Sequence, residues 1–154
     1  MASIPPDEML VQFVQARPQV IALCNDRVFH LEVYQEQDDS LAQYPCIVYQ
    51  QTDDVPDREI SGNNGYFTTV YSIYVIAKNS SDLVALRNDI YWLGSEDFNT
   101  SIFQDTSGDY DMFEGIDVDS SSEDDEFAIE QQERGLKIST VIVSFANSRC
   151  GDPS

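Results

Sequence analysis

The side chains in this chain with the chemistry to act on a substrate are few and scattered. His30 is the only histidine, and it sits between Phe29 and Leu31 in a stretch that alternates like a strand. A nucleophilic Cys–His pair would need Cys24, Cys46 or Cys150 beside it, and no local signature brings one there. The three thiols lack Cys-x-x-Cys spacing. An odd number of thiols without a secretory signal reads as reduced cysteines, and Cys46 reads as a small apolar residue of a strand. The seven glycines form no phosphate-cradling loop, and Gly62-Asn63-Asn64-Gly65 reads as a turn.

Carboxylates are the other candidates. From Asp105 to Glu133 the chain carries Asp109, Asp111, Glu114, Asp117, Asp119, Glu123, Asp124, Asp125, Glu126, Glu130 and Glu133. A calcium-binding helix-loop-helix needs carboxylates at loop positions 1, 3 and 5, a glycine at 6 and a glutamate at 12. Counting from Asp105 puts Tyr110 at the glycine position, and counting from Asp109 puts Glu114 there. The run therefore reads as a solvated acidic segment. No metal, no other cofactor and no catalytic constellation is expected, so the chain reads as a builder or binder and not as an enzyme.

Its charge narrows the partners. The 154 residues include 28 acidic and 8 basic side chains, a formal net charge of -20. That excess repels phosphate backbones and anionic membrane surfaces. No apolar run approaches the roughly 20 residues that cross a bilayer. The first residues, with Asp7 and Glu8 and no basic flank, do not resemble a targeting peptide, so synthesis in the cytosol is expected. The length fits one domain, and a 42% hydrophobic fraction with 11% aromatics implies a packed core.

The elements that must position these groups follow from periodicity. A first helix begins near Pro5, with Ser3 as its cap, and buries Met9, Leu10, Phe13 and Val14 before Arg17-Pro18 ends it. A short helical turn covers Gln19 to Cys24. Arg27 to Tyr34 reads as a strand, Gln35 to Gln43 as a loop, and Cys46 to Gln51 as a second strand. Thr52 to Asn64, rich in Asp, Pro and Gly, reads as a long hairpin connection. Tyr66 to Ile76 is apolar on both alternating sets, so it is either central in the sheet or half-buried by a neighbouring subunit. Ser81 to Leu93 is an amphipathic helix with Leu83, Leu86, Ile90 and Leu93 inward, capped by Ser80 or Ser81 and closed by Gly94. Phe98 to Phe103 reads as a short strand, residues 105–133 as an acidic hairpin or loop, and Leu136 to Ala146 as the last strand. The expected fold is α+β in a single domain over residues 1–154. It has one antiparallel or mixed sheet of about four to six strands, with two main helices on one face.

Several of these stretches carry a family resemblance. Cys24-Asn25-Asp26-Arg27-Val28-Phe29 resembles the helix end, short turn and Arg-Val-aromatic entry of phage tail terminator proteins, also called tail completion or head-to-tail joining proteins. Pro45-Cys46-Ile47-Val48-Tyr49-Gln50 is similar to that family's Pro-x-Ile-Val-Tyr-Gln strand. The long aromatic strand, then Ser80-Ser81-Asp82-Leu83-Val84-Ala85-Leu86-Arg87 and Leu93-Gly94, is similar to its next strand and second helix. The resemblance covers Met9 to Gly94, with a final strand at Leu136 to Phe145. The chain departs from it in the proline-poor loop Gln35 to Gln43 and in the long acidic stretch Asp105 to Glu133.

The resemblance implies a ring-forming subunit, a hexamer, that caps the tail tube, stops its polymerisation and docks on the head connector. It would reside in the virion tail or neck after assembly in the host cytoplasm. Its partners would be copies of itself, the tail tube protein and the connector or stopper protein, with DNA passing through without specific binding. In such a ring, Asp109, Asp111, Asp117, Asp119, Glu123, Asp124, Asp125 and Glu126 either face the channel, where carboxylates let DNA slide, or form an exterior solvated loop. Tyr66, Phe67, Tyr71 and Tyr74 either supply subunit contacts or pack the core. The alternative reading is an acidic binding module that mimics nucleic acid and occupies a basic partner protein.

Overall fold

The computed structural model describes residues 6–25, 27–36, 43–59, 62–103, 113–120 and 126–148. Helix α1 (Pro6–Gln15) carries Asp7 and Glu8 in its first turn, where they complement the positive end of the helix dipole. Its Met9, Leu10, Phe13 and Val14 form one buried stripe. A π-helical turn, Val20–Cys24, follows and leads into β1 (Val28–His30). The remaining elements are α2 (Leu31–Glu36), β2 (Cys46–Glu59), β3 (Gly62–Ala77), α3 (Ser80–Tyr91), a 3-10 turn (Trp92–Gly94), α4 (Glu96–Phe103), β4 (Phe113–Ser120), α5 (Glu126–Glu133) and β5 (Lys137–Ser148).

The strands form one mixed sheet in the order β1-β2-β3-β5-β4. Only the β1–β2 pairing is parallel; β2–β3, β3–β5 and β4–β5 are antiparallel. β5, last in the chain, is inserted between β3 and β4, so β3 is flanked on both sides.

Strand alternation sorts the core into two layers. On one face Ile47, Tyr71, Ile73, Val75, Val141, Val143 and Phe145 meet the α1 stripe and Leu86, Ile90 and Leu93 of the α3 region. Phe13 packs edge-on to Phe98 at 4.9 Å and parallel to Phe145 at 6.0 Å. On the other face Cys46, Val48, Tyr74 and Ile76 meet Tyr34 of α2 and Phe127 of α5. Two main helices on one face and a doubly covered β3 match the expectation, but α2 and α5 supply the second cover from within the chain.

Arg17 ties the ends of the two main helices together. It donates to the Asp89 carbonyl at 3.2 Å and to Asp89 Oδ1 at 3.1 Å, and its guanidinium lies 4.0 Å from the centre of the Trp92 ring. The Gln19 backbone N–H donates to Asp89 Oδ2 at 2.7 Å.

The structure differs from the sequence reading at five places. The strand expected to Tyr34 stops at His30, whose Nδ1 accepts the Glu32 backbone N–H at 3.2 Å. This local bond competes with the ladder, and the helical turn that follows brings Tyr34 inward while leaving Val33 half exposed. The expected connection over Thr52 to Asn64 is largely strand, since β2 runs to Glu59 and β3 resumes at Gly62. Irregularities between Gln51 and Asp53 and between Pro56 and Arg58 absorb the turn-forming residues in the part of β2 beyond its pairing with β1. Phe98 to Phe103 is helix, because Ser95 Oγ accepts the Phe98 N–H at 3.1 Å and caps α4. The cap of α3 is Asn79, whose Oδ1 accepts the Asp82 N–H at 2.8 Å. In the acidic stretch expected as a hairpin or loop, the described parts are a strand and a helix, β4 and α5.

Candidate functional site

The α2–α5 side of the sheet holds the polar groups of greatest interest. α5 is capable of packing because Phe127, Ala128 and Gln131 recur along one side of an otherwise acidic helix. Phe127 lies 4.7 Å from the Tyr74 ring and 5.7 Å from the Tyr34 ring, measured between centroids. Gln131, only 1% exposed, is held by a bonded cluster. Its Oε1 accepts from the Tyr34 hydroxyl at 2.8 Å and from Arg134 Nη1 at 2.8 Å. Arg134 also donates to the Tyr34 hydroxyl at 3.3 Å and to the Tyr44 hydroxyl at 3.1 Å, and the two hydroxyls are 2.8 Å apart. Burial, and then the hydrogen bond with Tyr44, hold the Tyr34 phenol well above its usual pKa. The two tyrosine hydroxyls, the Gln131 amide and the Arg134 guanidinium satisfy one another here, so the cluster locks α2, the chain before β2, and α5 together.

The outward side of α5 is different in kind. Glu126, Ile129, Glu130 and Glu133 are exposed, Ile129 to 46%. With Gln35 and Phe127 they line an open cleft of about 530 Å³ between α2 and α5. Glu126 and Glu130 are four residues apart and repel, and Glu133 stands at the negative end of the helix dipole with no basic residue in the last turn.

Of the acidic residues singled out in the sequence, Asp109, Asp111, Glu123, Asp124 and Asp125 lie outside the described residues. Asp117 and Asp119 are exposed on the edge strand β4. Ile116 and Val118 face the α1–α3 core, so alternation sends Asp117 and Asp119 to the side that α5 occupies. Glu126, on α5, shares that side.

The aromatic group divides differently. Tyr71 and Tyr74 are 1% and 0% exposed within this single subunit. Tyr71 donates to Asp7 Oδ1 and Tyr74 accepts from Gln50 Nε2 at 3.1 Å. As contacts to a neighbouring subunit they are corrected: the fold itself consumes both rings. The side chains of Tyr66 and Phe67 lie outside those described.

His30 is occupied by the Glu32 N–H and by an edge-on contact with Tyr49 at 5.4 Å. Cys24 and Cys46 belong to the two opposite core layers. Burial pushes their thiols up, to about 11 and about 12, the reverse of what a thiolate nucleophile requires. Among the described residues no group of three or more His, Cys, Asp or Glu could hold a metal ion, and no helix is long and apolar enough to cross a membrane.

Sequence reasoning missed the buried cluster. Gln131 and Arg134 sit within an acidic run where polar residues read as solvated. The available signal was the spacing of Phe127, Ala128 and Gln131, one helical face in five residues. No protein-family model matches the chain, and no curated protein matches it in sequence.

Proposed function

We propose that this chain is a ring-forming virion protein that caps a phage tail tube, ends its polymerisation and joins the tail to the head connector. The resemblance over Met9 to Gly94 supports this reading. So does the way those residues pack, as two helices laid across a sheet whose centre is a long hairpin.

The observation that carries the proposal is the shape of that hairpin. β2 and β3 are 14 and 16 residues long, yet β1 pairs with β2 only at Ile47, Val48 and Tyr49. Beyond Tyr49, β3 is the one strand neighbour of β2 among the described residues. Such an edge can take a further strand, and a repeated head-to-tail contact of this kind closes a ring. Subunit contacts in the proposed ring therefore run through the sheet edges, since the faces of the sheet at Tyr71 and Tyr74 are filled. Asp117, Asp119 and Glu126 supply exposed carboxylates on one side of the subunit, suited to a channel through which DNA slides.

Electron micrographs of particles lacking this protein test the proposal. Tails of abnormal length, or tails detached from filled capsids, are the expected result. Normal tails on filled capsids would refute it. Size-exclusion with light scattering, with and without assembled tail tubes, gives the second reading: a ring or a tube-end complex is expected, and a one-to-one complex with a basic protein would favour the nucleic-acid mimic instead.

A further inference from the structure

We infer that the cleft between α2 and α5 docks a basic, amphipathic segment of another protein. The inference does not rest on the tail assignment. It starts from a helix face that is unfavourable by itself. Glu126 and Glu130 repel across one turn, Glu130 and Glu133 repel at the next, and Glu133 opposes the dipole, with Glu126 in the first turn favoured by it. Ile129 stands half exposed among them, and the Phe127 ring forms part of the same cleft. Among the described residues, its lining contains three carboxylates, two apolar side chains and one amide, with no basic group.

That combination defines the occupant by complementarity. Lysines or arginines would relieve the repulsion between the glutamates, and an apolar residue between them would cover Ile129. The volume of about 530 Å³ accepts a few side chains of such a segment. Phosphate-bearing ligands and anionic bilayers are repelled by the same carboxylates. A second copy of the chain does not qualify, because no ten-residue window of its sequence holds three basic residues. The neighbouring Arg134 does not fill the role, since it donates to Gln131, Tyr34 and Tyr44 on the inner side of α5.

The test uses the full, isotope-labelled chain and a synthetic helical peptide with leucines on one face and lysines on the other. A peptide of the same composition in scrambled order is the control. The amide resonances that move should cluster at Gln35 and along Glu126 to Glu133, and the scrambled peptide should move them less. Replacing three exposed charges, E126Q with E130Q and E133Q, should weaken binding roughly tenfold, as three partly exposed ion pairs would. Ile129→Ala should weaken it roughly threefold through lost apolar contact. A variant carrying E8Q, E96Q and D97N removes the same charge on the opposite face of the sheet, on α1 and α4, and should change the affinity less than about twofold. Equal weakening by the two triple variants would reduce the effect to net charge and overturn the inference. So would shifts spread over the whole acidic surface, equal binding of the scrambled peptide, or no binding at all.

Discussion

Cys24 and Cys46 show how burial alone decides a side chain's chemistry. Each is at most 1% exposed, one in each core layer, and desolvation is the largest cause of its raised pKa. The neighbouring Arg27 pulls both back only in part. Neither thiol should react with iodoacetamide at pH 8 in the folded protein, and both should react once it is unfolded; peptide-resolved mass spectrometry reads this directly. The sign of the pH dependence follows. A proton held more tightly in the folded state than in the unfolded state leaves the unfolded chain first as pH rises. The contribution is intact below the unfolded value of 9.0 and is lost as pH climbs towards about 11 for Cys24 and about 12 for Cys46. Urea midpoints should therefore fall between pH 9 and pH 11, and Cys24→Ala with Cys46→Ala should flatten that fall while lowering stability at neutral pH. An unchanged slope in the double variant would place the alkaline sensitivity on the tyrosines. The burial of Cys46 could be read from its apolar neighbours in a strand. That Tyr71 and Tyr74 would be spent inside the subunit could not, because an aromatic strand looks the same whether its cover comes from its own helices or from a neighbour.

Elements were legible where one periodicity ran uninterrupted. Met9, Leu10, Phe13 and Val14 in α1, the two alternating sets of β3, and Leu86, Ile90 and Leu93 near α3 all face where their spacing places them. The failures have local causes. Asp53, Pro56 and Asp57 resemble a loop because turn residues are tolerated where β2 runs beyond its pairing with β1 and its pairing with β3 is irregular. Residues 105–133 read as an acidic hairpin or loop, and the strand β4 within them is consistent with the hairpin reading, whereas the helix α5 is not legible among the surrounding carboxylates. Gly94 does close the helical run, as its position predicts, and it also makes a close contact between elements. A Cβ there would stand 3.2 Å from both the Cβ and the backbone nitrogen of Val118. The missing side chain at position 94 lets the 3-10 turn lie close against β4. Gly94→Ala requires β4 to give by a few tenths of an ångström at Val118, an overpacking cost of about 1 kcal/mol. A thermal melt measures the loss, and hydrogen exchange should show it first at Ile116 and Val118. If Gly94→Ala matched the parent in both, the close approach would have no energetic weight.

At the scale of the whole molecule, charge is the dominant fact. A net charge of -20 places like charges close together over the surface, and the described ion pair between Arg17 and Asp89 neutralises little of it. Self-repulsion of this kind opposes compaction. Its range is set by salt, with a screening length of about 30 Å at 0.01 M and about 3 Å at 1 M. Raising potassium chloride between those limits should therefore raise the melting temperature by roughly 5 °C, equivalent to about 2 kcal/mol for a domain of this size. The proposed ring magnifies the effect, because each copy adds its own excess next to its neighbours. Association should accordingly be weak at low salt and strengthen with screening, with a tail-tube surface serving as the template that offsets the repulsion in the cell. Light scattering over the same salt series separates the two consequences. A melting temperature that rises while the mass stays that of one chain, even with tubes present, would keep the electrostatic account and remove the ring. A mass that grows in step with screening would tie both to the same carboxylates, and edge contacts along β2 would then be the place to look for the joint.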